Sequence, residues 1–119
     1  MLKGRKATSH WAAIEFLTQF GAIPTRDRIV EEDKFITAAG VSAGIDMALY
    51  LVNNLQGETS AKAAQLLIEY DPSPIFQSGN YSSAEENVIK LAKKKMKKDV
   101  IGELSIWEIL KNARALLKL

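Results

Sequence analysis

Phe35-Ile36-Thr37-Ala38-Ala39-Gly40-Val41-Ser42-Ala43-Gly44-Ile45-Asp46-Met47-Ala48-Leu49 is the stretch that decides the fold. Residues 35–39 are apolar and β-prone, and the apolar spacing from residue 42 onward is helical. Glycines at 40 and 44 bracket the change, so a strand turns into a helix within a few residues. Such a turn aims backbone N–H groups and short side chains at one point, as α/β proteins do at the carboxyl ends of their strands. The reading predicts an interior strand over 35–39. It predicts a helix from Ser42, as N-cap, to Leu55, ended by Gly57. Ile45, Met47, Leu49, Leu51 and Val52 lie on several sides of that helix, which predicts deep burial.

Upstream, Arg28-Ile29-Val30 and the 35–39 strand flank Glu31-Glu32-Asp33-Lys34, the pattern of a β-hairpin with a charged tip. Lys6-Ala7-Thr8-Ser9 reads as a short strand or its exit. Trp11, Ile14, Leu17 and Phe20 share a helical face, closed by Gly21, and Ala22-Ile23-Pro24 breaks the helix. Downstream, a helix starts at Thr59, runs through Leu66 and Ile68, and stops at Asp71-Pro72. Ser83-x-x-Glu86 fits a capping box for a helix through Val88, Leu91, Ala92 and Met96. After Gly102 a last amphipathic helix carries Leu104, Trp107, Leu110, Ala113 and Leu117. The residues alone thus suggest an α/β unit over 1–71 and a helical appendage over 82–119.

That inventory is short of strands. Apolar crossover helices need several strands beneath them, and too few strands leave open backbone edges. The chain therefore reads as part of a larger sheet, completed by copies of itself, by another chain, or truncated. A homo-oligomer, or association with a missing N-terminal half, is the expected assembly.

Composition narrows the chemistry. The 119 residues contain no cysteine and a single histidine, which excludes a disulfide framework and a thiolate metal site. No apolar run approaches a membrane span, and no apolar core follows the basic start. A cytoplasmic protein without membrane contact is the expectation. Residues 1–71 carry seven basic and nine acidic side chains, residues 72–119 nine and five. The excess lies in Lys90, Lys93, Lys94, Lys95, Lys97 and Lys98, without interleaved aromatics. It reads as a solvated helix face, not a nucleic-acid surface.

Gly40-Val41-Ser42-Ala43-Gly44 is also G-x-S-x-G, the serine nucleophile elbow. An elbow serine of that type has its histidine later in the chain, whereas His10 precedes Ser42 and none follows. Ser42 is then a helix cap, and the glycines permit a tight turn. His10, at a strand end, suits a site or a packed junction equally. Asp46 reads as a helix-dipole partner, and Tyr70-Asp71-Pro72 and Trp107 as helix end and core. No cofactor or metal is expected.

Thr8-Ser9-His10-Trp11, Phe20-Gly21-Ala22, the 36–46 stretch and Glu69-Tyr70-Asp71-Pro72, in that order, resemble the ThiJ/PfpI family of the class I glutamine-amidotransferase-like superfamily. Within it, isonitrile hydratases of the cyclohexyl-isocyanide type are most similar. The resemblance covers residues 2–76 and implies a partial flavodoxin-like layered sheet with flanking helices. It makes residues 1–76 the C-terminal half of such a domain and 77–119 a helical extension. The family's catalytic cysteine and supporting acid fall upstream of the matching segment. The resemblance therefore implies a chain inactive alone, with Thr8, Ser9, His10, Gly40, Val41, Ser42 and Gly44 lining a small-molecule pocket. The alternative is a non-catalytic ligand-binding or regulatory module, as in AraC-type regulators, or an oligomerising fragment. Residues 82–119 are too few for the helix-turn-helix pair of such regulators.

Overall fold

A computed structural model describes residues 1–103, with side chains up to Lys97. The expected last helix through Trp107 lies outside the described residues. The chain divides into two compact units, Met1–Ser73 and a second from Pro74 on.

In the first unit, β1 (Lys6–Ala7) pairs in parallel with β2 (Ile23–Pro24). The expected helix breaker is thus a strand. Ile23 and Thr25 donate their N–H groups to Arg5 and Ala7 at 2.7 and 2.9 Å. Pro24, which has no N–H, falls between them where the donor would face away from β1.

The connection between these strands holds a 3-10 helix, Ile14–Phe20, instead of an α-helix from Trp11. The cause lies at His10. Its carbonyl accepts from both Ala13 and Ile14, at 2.8 and 3.0 Å, and its Nδ1 accepts the Ala12 N–H at 3.3 Å. Residues 11–13 are consumed in that tight turn. Three residues per turn then stack Ile14, Leu17 and Phe20 in one column. Ile14 is buried, Leu17 half-buried and Phe20 exposed. Gly21 closes the helix in the left-handed conformation, at φ 72°.

β3 (Ile29–Glu32) and β4 (Phe35–Ala38) form the expected antiparallel hairpin, in register Glu32↔Phe35 through Ile29↔Ala38. Its tip is two residues, not four: Glu31 and Glu32 join the strand. Asp33 takes the positive φ, 55°, that a two-residue turn requires. Arg5 pairs with Asp33, and Arg5 and Lys34 both lie over the Phe35 ring.

Among the described residues β4 pairs with β3 alone, so it is half-buried and not an interior strand. The two small sheets meet through side chains. The Lys6 N–H donates to the Glu32 carboxylate, and the Thr8 N–H to Thr37 Oγ1 at 3.0 Å.

α1 (Val41–Gln56) follows β4 and packs on it and on α2 (Glu58–Leu67). Gly40, in extended backbone, is its N-cap, and Ser42 is its second residue with no capping bond. The predicted Ser42 cap is therefore incorrect: the turn completes at Gly40, two residues early. Deep burial of α1 is also not found. Ala43 is its one buried residue, because only α2 and a two-stranded hairpin cover it. Gly57, at φ 86°, ends α1 and begins α2.

The second unit carries α3 (Glu86–Glu103), which continues through Gly102. Glu86 is its first helical residue, so the predicted capping box does not form. Ser83 Oγ instead donates to the Gln77 carbonyl at 2.9 Å, within a turn built on Asn80. Ile89, Ala92 and Met96 are half-buried, and Lys93 lies over the Tyr81 ring.

Candidate functional site

β1 ends at Ala7 and delivers Thr8, Ser9 and His10 in succession: buried, half-buried and exposed. Thr8 is 3% exposed, and its Oγ1 has no hydrogen-bond partner. Across the parallel pair the next register position is Thr25, whose Oγ1 is buried and unpartnered as well. The His10 ring leans on Trp11, with centroids 5.4 Å apart. Because Nδ1 accepts the Ala12 N–H, the neutral imidazole carries its proton on Nε2. Nε2 is the nitrogen not used in that bond.

The strand-to-helix turn arrives at the same place. A Cβ built on Gly40 would stand 3.9 Å from His10 Cδ2. The end of β1 and the start of α1 are therefore direct neighbours. By helix geometry, the N–H groups of Val41, Ser42 and Ala43 in the first turn have no intrahelical acceptor. Gly44 donates to the Gly40 carbonyl at 3.0 Å and leaves open space where its side chain would be. Thr8, His10 and Gly40 thus gather at one sheet edge, with Ser9 between the first two.

Ser42 looks elsewhere. Its Oγ accepts from Arg28 Nη2 at 3.0 Å, and the Arg28 Nε pairs with the Asp46 carboxylate. Tyr70, just past the end of α2, donates its hydroxyl to the other Asp46 oxygen at 2.6 Å. The Tyr70 hydrogen bond, with help from the Arg28 guanidinium, holds the Asp46 carboxyl below its ordinary range. The same carboxylate raises the Tyr70 phenol and the already basic Arg28. Tyr70 reaches back because Glu69 turns through a left-handed φ of 50°.

No family profile matches the sequence. It is, however, 42% identical over 95 residues to the isonitrile hydratase of Pseudomonas putida, covering 80% of this chain and 42% of that one. A crystal structure of a ThiJ/PfpI family protein from Pseudomonas syringae superposes with a TM-score of 0.71 at 44% identity. That match covers 82% of this chain and 40% of the other. Over about four fifths of its own length the chain is similar in sequence to both relatives, and in fold to the ThiJ/PfpI family protein. It spans about two fifths of the length of the relatives it matches.

The sequence singles out His10 and the 40–44 turn, which the structure places side by side, and does not show the Arg28–Asp46–Tyr70 cluster. Asp46 reads in the sequence as a helix-dipole partner, whereas it takes two side-chain partners, from just before β3 and just after α2. The available signal was Tyr70 itself, inside one of the four motifs that carry the resemblance. Among the described residues, no group of three or more His, Asp or Glu side chains is placed to hold a metal ion. No described helix is long and apolar enough to cross a membrane.

Proposed function

We propose that this chain supplies one wall of a ThiJ/PfpI-type pocket and that the completed pocket hydrates an isocyanide. The observation that carries the reading is the His10 ring beside Gly40, in a chain 42% identical to an isonitrile hydratase. Thr8, Ser9, His10, Gly40, Val41, Ser42 and Gly44 are the residues assigned to that wall, Ser42 through its backbone N–H because its hydroxyl is turned to Arg28. The nucleophile has to come from a partner segment, because this sequence has no cysteine.

In the completed pocket a thiolate forms a bond to the isocyanide carbon, and an acid delivers a proton to that carbon. Water then adds to the thioimidate. One proton of that water goes to nitrogen and its oxygen to carbon; the sulfur–carbon bond then breaks as the hydroxyl proton returns to the acid's conjugate base, releasing the thiolate and the N-substituted formamide. His10 presents Nε2–H and orients groups beside the sulfur. The first-turn N–H groups of α1 favour negative charge on the same side.

The test is reconstitution. The chain is mixed with the remaining, cysteine-bearing portion of an isonitrile hydratase and supplied with cyclohexyl isocyanide. Formamide production by the mixture and by neither part alone supports the proposal, and His10→Ala in the mixture lowers turnover. Stable association with no turnover favours a non-catalytic ligand-binding module.

A further inference from the structure

We infer that Arg28 is a positioning residue that holds the 39–42 turn against His10. The inference rests on the pocket-wall reading for its functional consequence. Its structural part stands on geometry alone.

Arg28 touches both sides of the turn. Its carbonyl accepts the Ala39 N–H at 3.0 Å, which fixes the last residue before Gly40. Its guanidinium reaches over the turn, donating Nη2–H to Ser42 Oγ at 3.0 Å and pairing through Nε with Asp46. The second helical residue and the next turn of α1 are thereby tied to one side chain, and the strand end to the same residue's backbone. Gly40, between these anchors, is the residue that meets the His10 ring. Asp46 is steadied from its far side by Tyr70, so the anchor for Arg28 is itself fixed.

The rest of α1 provides little of this restraint. Ala43 is the only buried residue in the helix, and Ser42 forms no cap. A helix so lightly buried depends on polar ties for the position of its first turn. The Arg28 and Asp46 side chains are 54% and 30% exposed, so the pair adds little to global stability. A planar fork that engages two acceptors fixes direction more than it adds energy. Arg28 therefore sets where the turn lies without deciding whether the chain folds.

Amide hydrogen exchange on the full chain tests this directly. In Arg28→Ala, exchange at Gly44 and Ile45 accelerates about tenfold, and Ala39, whose acceptor carbonyl is retained, changes less. Ile23 and Thr25, in the β1–β2 pair, stay within about twofold of the parent. The His10 ring resonances move as well, since Gly40 is their neighbour. Arg28→Lys retains charge near Asp46 but not the second contact to Ser42, and gives an intermediate acceleration. Acceleration of equal size at all these sites shows a general loss of stability and overturns the inference. Unchanged exchange at Gly44 and Ile45 overturns it too.

In the reconstituted mixture, Arg28→Ala lowers kcat more than it changes KM, with Arg28→Lys between. Turnover in the parent mixture that Arg28→Ala leaves intact overturns the positioning role while keeping the pocket-wall reading. A parent mixture without turnover fails the pocket-wall reading and leaves the exchange result to decide the placement of the turn.

Discussion

The Tyr70 hydroxyl lies 2.6 Å from Asp46 Oδ1 and donates to it, tying the segment that follows α2 to the second turn of α1. The bond needs a phenol as donor and a carboxylate as acceptor, which fixes its pH window. Asp46 has its carboxyl lowered in the fold, so its contribution is present above about pH 4 and fades as pH falls through the folded value. Tyr70 has its phenol raised, so its contribution is complete below about pH 10 and lost as pH rises through the folded value. In Tyr70→Phe, which removes the largest cause of the Asp46 shift, the Asp46 carboxyl titrates at higher pH than in the parent. Carboxyl NMR titration reads this, and an unchanged Asp46 midpoint would contradict it.

Ser42→Ala and Thr37→Val separate two hydroxyls that the sequence does not distinguish. Ser42 is exposed, forms no helix cap, and only accepts from a half-exposed Arg28. Its removal costs less than about 0.5 kcal/mol. Thr37 Oγ1 accepts the N–H of Thr8, a residue 3% exposed. Valine there strands that donor and costs about 1–2 kcal/mol. Urea unfolding of the two variants gives the order directly, and a larger loss for Ser42→Ala would restore the cap that the structure lacks.

Alanine has opposite effects at two glycines. Gly44 lies inside α1 with nothing within 4 Å of an added Cβ. Gly44→Ala therefore stabilises the chain by about 0.5–1 kcal/mol through helix propensity. Gly21 holds φ 72°, and an added Cβ would come 3.2 Å from Lys3 Cγ. Gly21→Ala costs about 1–2 kcal/mol from the left-handed backbone alone. Thermal unfolding should move in opposite directions, and a loss at Gly44 would mean that the open space there is needed.

Local sequence patterns carry the local elements of this chain and not the contacts between them. The β4-to-α1 turn and the hairpin were legible because strand period, glycines and helical spacing agree over adjacent residues. The Ile23–Pro24 strand was not, because proline reads as a breaker unless the parallel partner's donor pattern is known. The 3-10 helix was missed because its cause is the three-way use of His10, whose carbonyl and Nδ1 take N–H groups from three following residues. The Arg28–Asp46–Tyr70 cluster joins residues 18 and 24 positions apart, a separation that no periodicity encodes. His10 and the 40–44 turn stand out separately in the sequence. Their contact belongs to the tertiary fold.

The G-x-S-x-G match makes one last prediction, and the geometry around Ser42 sets its sign. A serine nucleophile needs a base that accepts its proton. Ser42 Oγ instead receives a hydrogen bond from a guanidinium, which cannot act as a base. His10, the sole imidazole, has Nδ1 committed to the Ala12 N–H and its ring beside Gly40. The chain should therefore show no covalent labelling by a fluorophosphonate probe, read by intact mass, with Ser42→Ala indistinguishable from the parent. An adduct that maps to Ser42 would reinstate the elbow reading and require a base from another segment.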